Sequence, residues 1–165
     1  RALARCPYEA RPRLVVAGNT DDAGVGDHLR RLGGSLGVQV SIRVRISEAE
    51  LLTLYQQARA FVYAPHREPF GLAVLEAMAC GLPVIAVAEG GPRESVADGT
   101  TGYLVARDET AFADALMRVL GEPGLAARLG MAGRELVVAD WTWDAAANRL
   151  QEHLVAAAER QAVAA

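Results

Sequence analysis

Short apolar runs separated by helical segments constrain the fold of this chain more than any other feature. The runs are bounded by glycine, proline or polar turn residues, and they occupy residues 13–17, 38–44, 60–64, 83–87 and 102–105. Between them, apolar residues recur at spacings of three and four, which is typical of helices that bury one face. Strands that alternate with helices predict a parallel β-sheet with helices on both faces. We therefore expect an α/β fold of three layers.

Local signals refine this prediction. Residues 38–44 alternate strictly between apolar and polar, which favours an edge strand with one less buried face. Ser47 and Glu50 match a capping box and predict a helix start. From Asp108 onward only helical periodicity remains, which predicts a helical C-terminal segment, and we expect the indoles of Trp141 and Trp143 to pack as anchors there. The predicted helices of this segment cover about 108–120, 123–139 and 142–163.

Composition bounds the function classes. A length of 165 residues fits one domain, and a hydrophobic fraction of 52% supports a real core. The net charge of −3 argues against a surface that attracts nucleic acid or anionic membrane, and no apolar run approaches the length of an integral membrane segment. All 17 basic residues are arginine. Two cysteines form no disulfide framework, which favours a cytoplasmic location.

The stretch from residue 64 to residue 84 carries the chemistry. It places a turn at the carboxyl end of a strand and starts a helix near Gly71, where unpaired backbone amides attract anions. Glu68 precedes this helix and Glu76 lies within it, among apolar residues. A buried Glu76 would need hydrogen-bond donors, and a sugar diol supplies them. The residues alone leave the alternative open that Glu76 is a solvated surface residue and Glu68 a favourable charge near a helix start.

The same stretch resembles the nucleotide-sugar domain of the retaining family 4 glycosyltransferases. The signature of that family is Glu-x7-Glu, with Pro-Phe-Gly-Leu after the first glutamate. Here 68–72 reads Glu-Pro-Phe-Gly-Leu, and 76–84 reads Glu-Ala-Met-Ala-Cys-Gly-Leu-Pro-Val. The flanking residues 50–58, 90–102 and 141–143 extend the similarity, which covers about residues 13–155.

This resemblance implies a fold and a reaction. The family has GT-B architecture, in which two Rossmann-like domains face each other across a cleft and the C-terminal one holds the sugar nucleotide. Residues 1–165 resemble that C-terminal, donor-binding domain alone, without the N-terminal acceptor-binding domain, which would be its partner. The implied activity is retaining transfer of a hexosyl-type group from a UDP-, GDP- or ADP-linked sugar. Neither a further cofactor nor a metal is implied, and membrane association through the other domain stays open.

The resemblance also assigns roles to residues. Glu68 would be the catalytic residue and would hold the hydroxyls of the donor sugar. Glu76 would hold the ribose hydroxyls, and the loop at Arg45 and Ile46 would border the base. The residues implied in binding the donor sugar and the diphosphate are Glu68, Phe70, Gly71 and Leu72. A glycine at position 71 fits this role because the absence of a Cβ lets backbone approach a ligand closely.

The sequence also departs from the family pattern. The family grips the diphosphate with an arginine and a lysine in a Gly-Arg-x4-Lys-Gly stretch, whereas this chain contains no lysine. Arg11 and Arg13 are candidate cations, although their position does not match that stretch. The loop at 43–47 lacks the glycine that the family usually has there. Since the chain begins at Arg1, we expect a piece of a longer enzyme that binds the donor weakly and has no turnover alone.

Other signals leave one alternative function. A non-catalytic module that binds a sugar nucleotide or a sugar phosphate for regulation would carry the same stretch, whereas an epimerase would need catalytic residues that are not recognisable here.

Adjacent carboxylates at Asp21 and Asp22 fit turn chemistry better than a metal site. The position of His66, two residues before Glu68, allows it to face the donor cleft or to be a plain loop residue.

Overall fold

A computed structural model of the chain describes residues 1–19, 23–66 and 68–163, so Asp21 and Asp22 lie outside the described residues. Two short 3-10 helices, Ala2–Arg5 and Tyr8–Ala10, precede the first strand. The strands are β1 (Leu14–Gly18), β2 (Val40–Val44), β3 (Phe61–Tyr63), β4 (Val84–Val87) and β5 (Gly102–Val105). The helices are α1 (Ala23–Ser35), α2 (Glu48–Gln57), α3 (Leu72–Ala79), α4 (Pro92–Ser95), α5 (Glu109–Gly121), α6 (Pro123–Asp140) and α7 (Trp143–Val163).

All five strands pair in parallel, but they form two sheets where the sequence predicted one. β1 pairs with β2, with Leu14 opposite Val40, and the other sheet has the order β3-β4-β5. An open groove of about 420 Å³ is lined by residues of both sheets and of α5, including Leu14, Val62 and Phe112. The predicted edge position of β2 is confirmed, because β1 is its neighbour in a sheet of two strands.

β4 organises the core because its alternate side chains enter two different hydrophobic clusters. Val84 and Ala86 pack with residues of α2 and α3, including Tyr55 and Met78. Ile85 points the other way and packs with residues of α5 and α6. Helices therefore cover both faces of this sheet, which confirms the predicted three-layer α/β architecture.

The ends of several helices confirm local sequence signals. The Ser47 hydroxyl accepts a hydrogen bond from the Glu50 N–H at 3.3 Å, and the Glu50 carboxylate accepts one from the Ser47 N–H at 2.8 Å, which completes the capping box before α2. Asp108 is the N-cap of α5, and its carboxylate accepts hydrogen bonds from the N–H groups of Thr110 and Ala111. Among the described helices, none is both long and apolar enough to cross a membrane.

The prediction for the tryptophan pair is half wrong. Trp141 is half-buried and packs edge-on against Phe70, with ring centroids 5.7 Å apart. Trp143, the first residue of α7, is 92% exposed. Trp141 follows the last residue of α6, whereas Trp143 begins α7, so the two indoles belong to the ends of different helices and the Trp141 indole is the one that packs on Phe70.

Candidate functional site

Glu68 lies in the loop between β3 and α3 and binds the start of α3. Its Oε1 accepts hydrogen bonds from the N–H groups of Phe70, at 3.3 Å, and Gly71, at 3.1 Å. Gly71 caps the helix in the left-handed region, with φ +82°, which favours glycine. The amides that the sequence assigned to an anionic ligand are thus partly taken by this carboxylate. Leu72, the first residue of α3, is exposed beside it.

Glu76 lies on the exposed side of α3 and has a partner that the sequence did not predict. The Tyr55 hydroxyl, from α2, donates a hydrogen bond to Glu76 Oε2 at 2.9 Å. Burial, followed by the hydrogen bond to Glu76 and its charge, raises the pKa of Tyr55 far above its ordinary value. A tyrosine on the apolar face of a helix needs an acceptor for its hydroxyl, and this requirement was the available signal.

An aromatic cluster of Tyr55, Phe61 and Tyr63 connects the two glutamates. The ring of Tyr55 meets that of Phe61 edge-on at 5.8 Å, and Phe61 stacks on Tyr63 at 5.7 Å. Burial, and secondarily the charge of Glu68, raises the pKa of Tyr63. Glu76 therefore adjoins one end of the cluster through its hydrogen bond with Tyr55. At the other end the Tyr63 ring packs on the start of α3, where a Cβ at Gly71 would lie 3.3 Å from Tyr63 Cε1, and the Gly71 N–H donates to Glu68. The structure brings both acids to the aromatic cluster.

The loop predicted to border the base follows β2 directly. Arg45 is exposed and Ile46 is half-buried. The Arg45 N–H donates a hydrogen bond to the carbonyl of Gly18 at 3.0 Å, which joins this loop to the end of β1. Arg45 has φ +52°, a left-handed conformation that favours glycine. This finding matches the observation that a glycine is missing from the loop at 43–47.

Arg11, one of the two candidate cations, is committed to the protein's own backbone. Its guanidinium donates four hydrogen bonds of 2.8 to 3.1 Å, which link the N-terminal segment to the turn after α1. The acceptors are the carbonyls of Ala4, Cys6, Leu36 and Gly37. The candidate role in phosphate binding is therefore corrected to a structural one, while the neighbouring Arg13 is exposed.

A second arginine, Arg107, was missed by the sequence reasoning although it lies near the Glu68 loop. Its Nη2 is 2.8 Å from Glu89 Oε2 and its Nε is 3.1 Å from Glu89 Oε1. The Arg107 hydrogen bond lowers the pKa of Glu89, and the charges of Arg107 and His66 lower it further. His66 is exposed on the same loop as Glu68. A lone arginine after a short strand carries no distinctive spacing, so no sequence signal marked this pair.

Comparison with known proteins identifies the family. The model of the family described as "Glycosyl transferases group 1" matches residues 1–136. The chain belongs to this family. The resemblance stated from the Glu68 to Val84 stretch is therefore confirmed at the level of the group 1 glycosyltransferases, while family 4, the retaining reaction and the nucleotide sugar stay predictions. The roles of the individual site residues stay predictions.

Relatives and solved structures agree with this assignment. The domain is 41% identical over 155 residues to the D-inositol 3-phosphate glycosyltransferase of Frankia alni, with 88% of this chain and 37% of the relative covered. It is 32% identical to the alpha-1,3/1,6-mannosyltransferase of Homo sapiens, with 87% and 36% covered. The sucrose-phosphate synthase of Thermosynechococcus elongatus is 34% identical and superposes with a TM-score of 0.78, covering 94% of this chain and 41% of that one.

One solved structure is itself a domain. The C-terminal domain of a glycosyl transferase group 1 protein from Francisella tularensis is 27% identical, with a TM-score of 0.74, and the match covers 86% of this chain and 74% of that one. By contrast, this chain spans little more than a third of the length of the curated relatives it matches. The GT-B and Rossmann-like fold is thereby confirmed.

Proposed function

We propose that this group 1 domain binds a nucleoside-diphosphate sugar and is the donor-binding half of a retaining glycosyltransferase. The observation that carries the proposal is that Glu76 is hydrogen-bonded to one end of the aromatic cluster, while Glu68 binds the start of α3, on which the other end of the cluster packs. Carboxylates accept hydrogen bonds, and the hydroxyls of a sugar and of a ribose donate them. The two acids thus offer a pair of hydroxyl-binding groups beside a helix N-terminus.

Glu68 is the residue that we assign to the donor sugar. Its Oε1 is held by the amides of Phe70 and Gly71, so its Oε2 can accept from a sugar hydroxyl. The amides of Leu72 and Ala73, at the positive end of α3, are the groups that we assign to the diphosphate, since the Val74 N–H already donates to the Gly71 carbonyl. When the glycosidic bond to the diphosphate breaks, positive charge develops on the sugar ring and negative charge on the phosphate. Glu68 and the helix start would stabilise these two charges respectively.

Glu76 is the residue that we assign to the ribose. Because Tyr55 occupies its Oε2, the Oε1 atom can accept from a ribose hydroxyl, and the carboxylate is held in one orientation. A hydrogen bond to a charged group contributes about 1.5–3 kcal/mol. Arg45 and Ile46 remain our assignment for the border of the base.

The identity of the donor base and the location of the acceptor site are assigned from the relatives of this domain. An Anabaena protein that shares this fold, at 22% identity, was solved in complex with UDP-glucose, which makes uridine donors the first to test. We assign the acceptor site to the remainder of a longer protein, in an N-terminal domain that faces this one, and we place the enzyme in the cytoplasm. Retention of configuration fits attack on the same face as the departing diphosphate, with Glu68 as a stabilising group and not as a nucleophile.

Calorimetric titration of the 165-residue chain with UDP-glucose, GDP-mannose and ADP-glucose tests the proposal. We expect saturable binding of one donor, weakened about tenfold or more in Glu76→Gln through the loss of a charged hydrogen bond. The matched control is Glu152→Gln on the exposed surface of α7, which should leave binding unchanged. Binding of none of the three donors, or equal affinity in Glu76→Gln, contradicts the proposal. Binding without any transfer by the longer protein would instead favour a regulatory module.

A further inference from the structure

Three neighbouring strands end beside the Glu68 loop, and each contributes backbone or a charged side chain there. Arg107 lies two residues after β5, and Glu89 lies two residues after β4. Ala64 and Pro65 follow β3 directly. Since β3, β4 and β5 are parallel neighbours, their carboxyl ends meet at one edge of the sheet. Ligands of doubly wound sheets bind at this edge.

Arg107 connects all three strand ends. Its Nε and Nη2 contact the Glu89 carboxylate. Its Nη1 donates a hydrogen bond to the carbonyl of Ala64 at 3.2 Å, and Nη2 donates another to the carbonyl of Pro65. A guanidinium presents its donors in a fixed plane, so these contacts set the position of the chain after β3 relative to the chain after β4. The start of the Glu68 loop is thereby fixed.

The end of the same loop is held by the glycines that follow Glu89. The Gly91 N–H donates to the carbonyl of Glu68 at 3.3 Å. A Cβ at Gly90 would lie 2.2 Å from the carbonyl oxygen of Glu68, and one at Gly91 would lie 1.9 Å from that of Phe70. The two backbone segments are therefore in direct contact. Glu89 lies between this contact and Arg107, so one segment after β4 supports both ends of the loop.

We propose that the Arg107–Glu89 ion pair is a positioning device for Glu68. It holds the chain that leaves β3 and the backbone at Glu68 so that the Glu68 carboxylate meets the amides of Phe70 and Gly71 in the orientation that receives the donor sugar. The expected effect on sugar binding rests on the proposed function, whereas the positioning of Glu68 does not. An exposed ion pair contributes little to global stability, and the side chains of this pair are 40% and 50% exposed. Its effect should therefore be local and should fall on the sugar rather than on the nucleotide.

Amide exchange with solvent, measured by NMR on the full chain without ligand, gives the first readout. In Arg107→Gln we expect exchange at Phe70 and Gly71 to rise by about fivefold while the thermal midpoint stays near that of wild type. The control is Arg30→Gln, which breaks a similar exposed pair with Asp27, also at 2.8 Å, on α1. Glu89→Gln serves as a second variant should Arg107→Gln fold poorly. Exchange within twofold of wild type in the folded variants overturns the inference.

Affinity for UDP-glucose against affinity for UDP gives the second readout. We expect Arg107→Gln to weaken UDP-glucose binding by about five- to tenfold and to leave UDP binding within about twofold, with Arg107→Lys in between because it keeps the charge but not the fork. Equal weakening of both ligands would show general structural support and would overturn the inference. If the wild-type chain binds neither ligand, the proposed function fails, and the exchange measurement alone decides the positioning role.

Discussion

The two sheets of this domain differ in their most buried strand, because β3-β4-β5 contains the fully buried β4, although the outer strand β3 of that sheet is half-buried. All four residues of β4 are buried, with helices on both faces, whereas every described residue of β1 and β2 is half-buried or exposed. The sheet β3-β4-β5 therefore has its own core, built from two clusters that β4 joins. The sheet β1-β2 draws less stability from burial, because apolar surface removed from water is the main favourable term.

This difference separates the parts of the candidate site. Glu68 follows β3, and Glu76 lies on α3, which packs on the buried sheet. Both acids have hydrogen-bond partners within the structure. Arg45 and Ile46 follow β2 and belong to the less buried sheet. The groups assigned to the sugar and the ribose therefore rest on a rigid support, and the groups assigned to the base rest on a weaker one.

The largest expected effect comes from truncating one isoleucine in each sheet. Ile85→Ala in β4 removes a fully buried side chain from the cluster with α5 and α6, and should lower the free energy of unfolding by about 2–5 kcal/mol. Ile42→Ala in β2 removes a half-buried side chain and should cost less than about half as much. Urea unfolding of the two variants measures the difference. Equal losses would mean that the two sheets share one core.

A smaller effect is expected where the acid and the aromatic cluster meet. Tyr55→Phe removes the hydrogen bond to Glu76 but keeps the ring, so it should lower the free energy of unfolding by about 0.5–1.5 kcal/mol. The control is Tyr8→Phe, because Tyr8 is largely exposed. Chemical denaturation measures both. A free energy of unfolding that is unchanged in Tyr55→Phe would show that the hydrogen bond to Glu76 adds nothing over the hydration of the hydroxyl, and that Tyr55 does not hold Glu76 in place.

The sequence predicted those features whose signals lie close together in the chain. The capping box needs only Ser47 and Glu50, and β4 is visible as an apolar run after Pro83. The start of α3 follows from Gly71 and the apolar residues after it. In each case the residues that carry the sequence signal are within a few positions of one another, so local propensity and tertiary packing favour the same structure.

The features that escaped prediction depend on partners distant in sequence. Tyr55 and Glu76 are 21 positions apart, and Glu89 and Arg107 are 18 apart. Neither pair has a spacing that a helix or a turn would impose. The separation into two sheets escaped for the same reason, because the periodicity that marks a strand does not say which neighbour the strand pairs with.

A modest effect of opposite sign is expected in the less buried sheet. Arg45→Gly should raise the free energy of unfolding by about 0.5–1 kcal/mol, because glycine adopts the left-handed conformation of this residue without steric cost. Arg43→Gly is the matched control, since Arg43 lies in extended β2, where glycine should destabilise. Denaturant titration distinguishes the two signs. A loss of stability in both variants would show that the Arg45 side chain makes a compensating contact.

The smallest effect concerns the carboxylates at the starts of two helices, α5 after β5 and α2 after β2. Hydrogen bonds from the amides of Ala111 and Thr110 lower the pKa of Asp108, and those from Ser47 lower the pKa of Glu50. A carboxyl with a lowered folded pKa stabilises the folded state above its unfolded pKa, and this contribution disappears as the pH falls through the folded pKa. Asp108→Asn keeps a capping oxygen without the charge, so it should be slightly less stable than wild type at pH 7. The difference should shrink as the pH falls below the usual value of 3.8 toward the lowered folded pKa. Unfolding midpoints at pH 7 and pH 3 measure this, with Glu50→Gln as the corresponding variant at the start of α2. A stability difference that is independent of pH would show that Asp108 stabilises α5 through its hydrogen-bond geometry alone, without a contribution from its charge.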